Sequence, residues 1–311
     1  MNDILRIANC SGFYGDRFSA AKEMVEGGPI DVLTGDYLAE LTMLILFKDR
    51  LKNPDAGFAR TFLRQMEEVL GTCVDRGIKV VANAGGLNPA GLAGELEKLS
   101  TRLGINARIA YIDGDDLLPK LTELQAQGID LRHLDKDIPL ASLQSEVVTA
   151  NAYLGAWGIV EALRRGADVV ICPRVTDAAL TLGPAAWKFE WARDDWDRLA
   201  AGVVAGHIIE CGAQCTGGNY SFFTEVPDFA RIGFPIAEMH GDGTFVITKH
   251  PGTGGRVSIG TVTAQLLYEL GGPRYLNPDV TARFDSIRLA PDGTDRVRVF
   301  GIKGEPPPPT T

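Results

Sequence analysis

Long apolar runs are missing from this chain. Its most hydrophobic stretch, "LTMLILF", falls far short of the roughly 20 residues that cross a bilayer, and its start, "MNDILRIANC", has no basic leader ahead of an apolar segment. A soluble, cytoplasmic protein without a membrane partner is the expectation. Positive charge is also scarce: 31 Lys and Arg face 40 Asp and Glu, a formal net charge of -9, with no basic run to follow a phosphate backbone. That balance argues against nucleic acid as a partner. Five cysteines, an odd number spread over 311 residues, suit reduced thiols better than a disulfide framework. The named nucleotide and hydrolase motifs are absent as well. "NCSGFYGDR" lacks the three-glycine dinucleotide pattern, and GxxxxGK[ST], GxSxG and HExxH do not occur. An NAD-linked Rossmann enzyme is left with topology as its only support.

What is present is an alternation of short β-branched runs with amphipathic segments. "LRIANC", "IDVLTGD", "IKVVANAG", "ARIAYIDG" and "ADVVICPR" read as strands, and residues 37–51, 58–76, 89–103 and 117–127 as helices between them. This rhythm predicts an α/β fold, a mostly parallel sheet with flanking helices, over residues 1–209. From about Glu210 the pattern becomes a smaller α+β region, 210–304. It holds a hairpin around Gly241-Asp242-Gly243, a helix over 257–270 and a second hairpin around Pro291-Asp292-Gly293. Residues 305–311 form a Pro-rich, extended tail.

Polar residues collect where the first-part strands should end: Asn9 and Ser11, Asp36, Asn83 and Asn88, Asp113 and Asp115, then Arg174 and Asp177. Ligands of open α/β sheets bind outside the carboxyl ends of the strands, so these side chains could line one crevice. Helix capping is the competing use for Asp, Asn and Ser. It does not suit Arg174, whose guanidinium is shaped for a carboxylate or phosphate. Of five glycine pairs, "EMVEGGP" and "YELGGP" read as helix ends with left-handed glycine. "NAGGLNP", "CTGGNY" and "GTGGRV" could present backbone amides to an anion, with Lys249 adding charge to the last.

The stretch "HIIECGAQCTGG" is the densest in chemistry. A helix over 195–210 places His207, Glu210 and Cys211 on one face, with Cys215 in the following loop. Four readings stay open: a metal site, although the spacing matches no standard zinc pattern; a cysteine nucleophile activated by His207; His207 or Glu210 as general acid or base beside an oxygen-binding "QCTGG" loop; or an ordinary helix end.

Taken together, "SGFYGDR", "DVLTGDYLAELTM", "VVANAGGLNP", "TANAYLGA", "GADVVICPRVTDAAL", "AGHIIECGAQCTGG", "GFPIAE" and "GTFVITKHPGTGGRVSIGTVTAQLLYELGGP" resemble the acyclic terpene utilisation (AtuA) family along nearly the whole chain. The resemblance implies a role in breaking down acyclic monoterpenoids of the citronellol and geraniol type, or related branched acids, through coenzyme A thioesters. It supplies no reaction, metal or cofactor beyond the coenzyme A portion of a substrate. Residues matching the family's pattern are Asp16, Arg17, Asp36, Asn83, Gly85, Gly86, Asn88, Asn151, Arg174, Asp177, His207, Glu210, Cys211, Gln214, Gly217, Gly218, Lys249, Thr253 and Gly254. Cys10 stands where many relatives carry glycine, and longer relatives run on past "GEPPPPTT", so the resemblance leaves three alternatives: a fragment, a short member, or one half of a two-chain system.

The resulting expectation is an enzyme that moves a proton next to the carbonyl of a branched acyl-CoA or its acid, as a hydratase or lyase does. His207, Glu210 and Asp177 are the acid or base candidates and Cys211 the thiol candidate. Arg174, Asp36, Asn83, Gly85, Gly86, Asn88, Gln214, Gly217, Gly218, Lys249, Thr253, Gly254 and Gly255 are the candidates for holding substrate. A non-catalytic partner or scaffold for an acyl-CoA enzyme is the alternative, and a symmetric homo-oligomer is the base-rate expectation.

Overall fold

The computed structural model describes residues 4–309. In chain order its elements are β1 (Leu5–Asn9), α1 (Ala20–Glu26), β2 (Val32–Gly35), α2 (Glu40–Lys52), α3 (Arg60–Arg76), β3 (Lys79–Ala82), α4 (Pro89–Arg102), β4 (Ile109–Tyr111), α5 (Leu121–Ala126), α6 (Trp157–Arg164), β5 (Val169–Ile171), α7 (Ala179–Lys188) and α8 (Trp196–Ile209). They continue with β6 (Pro235–Met239), β7 (Phe245–Lys249), α9 (Ile259–Leu266), β8 (Arg274–Leu276), β9 (Thr281–Arg283), β10 (Arg288–Pro291), β11 (Val297–Phe300) and β12 (Lys303–Glu305). Among the described residues no helix is long and apolar enough to cross a membrane.

Nine strands form one mixed sheet in the order β10-β11-β7-β6-β1-β2-β3-β5-β4. The five strands from β1 to β4 in that order run parallel, and the other four join by antiparallel pairings. The α/β class holds, but "mostly parallel" describes only half of the sheet. Both hairpins form, and they extend the parallel sheet because β6 pairs with β1, Ile7 opposite Ala237. Regions 1–209 and 210–304 therefore meet through backbone hydrogen bonds. A second sheet, β12-β9-β8, is small and antiparallel.

Alternate strand residues feed two cores, as the period of two requires. Ile7, Val32, Val81 and Val170 pack with α6, α7 and α8 on one face. Ala8, Leu33, Val80 and Val169 pack with α1, α3 and α4 on the other. Helix α8 is buried along almost its whole length, since it lies against α7 and also contacts β6 of the main sheet and β9 and β12 of the small one. Glycines make the α7 contact close: a Cβ on Gly206 would stand 2.6 Å from the Ala178 Cα.

Several local expectations shift for identifiable reasons. Helix α2 starts at Glu40, not residue 37, because Tyr37 N donates to Asn83 Oδ1 (2.7 Å) and Leu38 N to Asp36 Oδ1 (3.2 Å), which keeps the strand exit extended. Helix α9 is shorter than 257–270: Ser258 and Thr261 form a capping box at its start. Glu269, φ 58°, adopts a left-handed conformation beyond its end. The pairs Gly27-Gly28 and Gly271-Gly272 are not left-handed; Gly27 has φ -70° and instead makes room for the His250 ring. Pro306 O accepts from Thr281 Oγ1 at 3.2 Å, tying down the start of the Pro-rich segment, while Thr310 and Thr311 lie outside the described residues.

Candidate functional site

The carboxyl ends of β2, β3 and β5 converge, and four of the expected residues meet there. Asn83 Nδ2 donates to Asp36 Oδ1 at 2.5 Å, joining β2 to β3. Arg174, with its side chain only 6% exposed, donates through NH1 to Asp177 Oδ1 and to Leu38 O, both at 3.2 Å. Its NH2 donates to the Tyr153 hydroxyl at 3.1 Å and lies 3.6 Å from Glu40 Oε1. The Tyr153 ring also sits under the guanidinium, 4.4 Å from its carbon, so cation–π attraction supplements the hydrogen bonds. Asp115 holds the strand end in register: its Oδ2 accepts from Arg174 N (3.1 Å) and Asn151 Nδ2 (2.8 Å). Asp113 is exposed.

The close packing of α8 on α7 brings the helix end to the same place. Glu210 is buried, and Asn9 Nδ2 donates to its carbonyl at 3.3 Å while Asn9 Oδ1 accepts from Ser11 N. His207 Nδ1 lies 3.2 Å from Glu210 Oε1, an ion-pair distance without hydrogen-bond alignment, and neither ring nitrogen has a well-aligned partner. Glu210 Oε2 and Gln265 Oε1 are likewise buried and unpaired. Tyr275 and Phe284 enclose the imidazole, each with its ring centre 5.3 Å away.

Burial and mutual repulsion set the electrostatics. Asp36 is pushed up to about 7, first by burial and then by the Glu210 charge, against the pull of Asn83, the Leu38 amide and Arg174. Asp177 is held well above the usual carboxylate range by burial and by the charges of Asp36 and Glu210, which together outweigh Arg174. Its side chain is nevertheless 31% exposed, so it sits recessed but reachable. Burial lowers the pKa of His207, yet Glu210 more than compensates and the net shift is upward. The Cys211 thiol is pushed strongly upward by burial and Glu210, and Cys215, fully buried, is raised to about 12. Neither thiol has the cationic surroundings that make a thiolate. All five cysteines are free, and among the described residues no three His, Cys, Asp or Glu side chains are grouped to hold a metal ion.

The glycine loops do different work. In "NAGGLNP" the amides of Gly85, Gly86 and Asn88 donate to Cys172 O, Asn83 O and Gly85 O. Asn88 caps α4 by accepting from Gly91 N, and its Nδ2 holds the carbonyls of Asp55 and Ala56. In "CTGG" the Gly217 and Gly218 amides donate to Gln214 O and Ala213 O, and in "GTGG" those of Gly254 and Gly255 donate to Arg231 O and Pro227 O. Lys249 is buried, paired with Asp295 Oδ2 at 3.0 Å and donating to Thr253 O at 2.9 Å. Cys211, Gln214 and Gly218 line a separate cavity next to Glu210. The strand-end reading did not pick out Glu40, Tyr153, Gln265 or Tyr275, which arrive from remote segments; the quoted "DYLAELTM" and "TANAYLGA" strings contain the first two.

Fold and site together define an α/β protein with an arginine and several carboxyl groups gathered at its strand ends. The chain belongs to the family described as acyclic terpene utilisation family protein AtuA, whose family model matches residues 5–311. A role in acyclic terpene utilisation follows from that membership. No curated protein and no solved structure matches the chain.

Proposed function

We propose that this chain is a cytoplasmic catabolic enzyme that acts on a branched carboxylic acid or its coenzyme A thioester by proton transfer next to the carbonyl, in the manner of a hydratase or lyase. The observation that carries the reading is the Arg174–Asp177 pair, its guanidinium buried and its carboxyl group recessed but reachable, with Asp36 and Glu210 crowded behind it. Such crowding favours the protonated form of a carboxyl group, and a neutral carboxyl beside a guanidinium can donate to an oxygen on which charge develops. Asp177 is the assigned acid and Arg174 the group that orients the carboxylate or carbonyl. His207 and Glu210, on one face of the α8 terminus, are the assigned base pair. In a hydration, the hydroxyl of water would bond to the β-carbon and a proton to the α-carbon, with negative charge passing transiently through the carbonyl oxygen.

Hydrogen bonding in the glycine loops favours recognition through the acyl end over recognition through coenzyme A phosphates. Phosphate capture near Thr253 would require Lys249 to leave Asp295. Thermal unfolding with geranate, its coenzyme A thioester and free coenzyme A tests this. At about 100 times its dissociation constant a ligand adds roughly 2.7 kcal/mol, about 4 °C for a chain of this size. Geranate and the thioester should both give it and free coenzyme A should not. A shift with coenzyme A alone, or with none of the three, overturns the reading.

One observation favours the second reading, a non-catalytic partner or self-associating subunit. Leu266, Leu267, Leu270, Pro273, Ile287 and Leu289 line an open groove of 490 Å3, and Leu267 is 67% exposed.

A further inference from the structure

Immediately after Glu210 the chain turns through Cys211 and the short 3-10 segment Gly212–Gln214, and this turn walls a cavity of 530 Å3. That volume lies within the roughly 300–1,000 Å3 of small-molecule sites. Phe13 forms part of the facing wall, and Phe229, Ile232 and Tyr268 complete the apolar lining. The three aromatic rings are 59%, 43% and 42% exposed in the order Phe13, Phe229, Tyr268, so their faces are open to an incoming group. The lining includes no Lys or Arg. Its charged member, Asp16, already accepts from Gly12 N (3.0 Å) and Arg17 N (2.8 Å). Its other polar members, Gln214 and Asn219, are uncharged, so nothing in this lining calls for phosphate, and its rings and Ile232 suit hydrocarbon.

The cavity borders the acid cluster through the chain segments Ser11–Gly12 and Glu210–Cys211. Ser11 O accepts from Asp36 N at 2.9 Å, and the Gly12 backbone lies so close to that of Cys211 that a Cβ would overlap the Cys211 carbonyl. Cys211 feels the charges of both Glu210 and Asp36. The leucine-lined groove beside α9 is more hydrocarbon-rich, but it meets the site from the His207 side, where its lining residue Phe284 packs against the imidazole.

We infer that the cavity beside Cys211 receives the apolar, branched chain of the substrate whose carbonyl end lies at Arg174, and that substrates are selected there by chain length. The inference rests on the enzyme reading above. Each methylene taken out of water is worth roughly a fourfold gain in affinity, so a ten-carbon acid should bind at least about 100-fold more tightly than a five-carbon one.

Cys211 supplies the test, because it is partly exposed in the cavity while Cys10, Cys73, Cys172 and Cys215 are buried. The full chain is labelled with N-ethylmaleimide and the rate at Cys211 followed by peptide mass, over hours because the thiol is held protonated. Geranate and geraniol, each at about ten times its dissociation constant, should slow labelling about tenfold by mass action; 3-methylbutanoate at the same concentration should not. Ala213→Leu, which fills the cavity, should weaken geranate protection at least tenfold while the far-ultraviolet spectrum stays unchanged. Unchanged labelling under geranate that still raises the unfolding temperature overturns the cavity inference and leaves the Arg174 reading standing. Protection by geraniol without any effect of geranate supports the cavity and removes Arg174 as the head-group site. Absence of both effects with both compounds overturns both.

Discussion

Replacing Asp36 by Asn isolates the electrostatic core of the site. Asp36 is 5% exposed, and its carboxyl group is raised from 3.8 to about 7. The folded protein therefore holds this proton more tightly than the unfolded chain does. The stability it contributes is complete below about pH 4 and is lost as the pH rises through about 7. At 1.36 kcal/mol per pKa unit the full swing is about 4 kcal/mol. Asn has the shape of the protonated acid and can still accept from Asn83 Nδ2, but it cannot ionise. Asp36→Asn should thus match the parent near pH 4 and exceed it by up to about 4 kcal/mol at pH 8, or about 6 °C in unfolding temperature for 311 residues. The assay is a pair of calorimetric pH series, and the readout is the difference curve, because carboxylates remote from Asp36 cancel in it. A variant no more stable than the parent at pH 8, or a difference that does not change between pH 4 and 8, would refute the assignment of a buried, repelled carboxyl group.

Gly206→Ala should cost about 1–3 kcal/mol in urea unfolding, since its Cβ would press on Ala178 and push α8 off α7. The same displacement should weaken any ligand bound at His207 and Glu210. Ser258→Ala should cost about 1 kcal/mol by removing the α9 capping box. Asp168 behaves oppositely to Asp36. Burial works against its charge, yet Arg108 and Lys79 (2.8 Å) hold its pKa far below the ordinary value. Asp168→Asn should therefore cost about 2 kcal/mol at pH 7, and the loss should shrink as the pH falls below about 4, as acid titrations of both proteins would reveal.

Asp36, Asn83, Arg174 and Asp177 could be found in the sequence because each follows a β-branched run, and parallel strands place their carboxyl ends side by side. Arg174 stood out further as a residue that does not cap helices. Glu40 and Tyr153 could not be found this way: one opens α2 and the other lies in a loop before α6, and only the folded sheet brings both to the guanidinium. Lys249 looked free because its partner, Asp295, sits on the far hairpin. The glycine pairs looked like anion cradles because sequence does not reveal where a backbone amide donates. Spacing along one helix did reveal that His207 and Glu210 share a face. That the Glu210 charge reaches Asp177 depends on how closely α8 approaches α7.

The central claim is proton transfer at a carbon next to the substrate carbonyl, and deuterium exchange reads it directly. The full chain is incubated with the coenzyme A thioester of geranic acid in deuterium oxide, and the thioester is followed by mass and proton spectra. Deuterium should enter the acyl chain, or deuterated water should add across the double bond next to the carbonyl. Asp177→Asn should slow this by at least about 100-fold, as loss of a general acid does. A thioester that raises the unfolding temperature yet gains no deuterium and no water over many hours would contradict the enzyme reading and leave a binding subunit in its place.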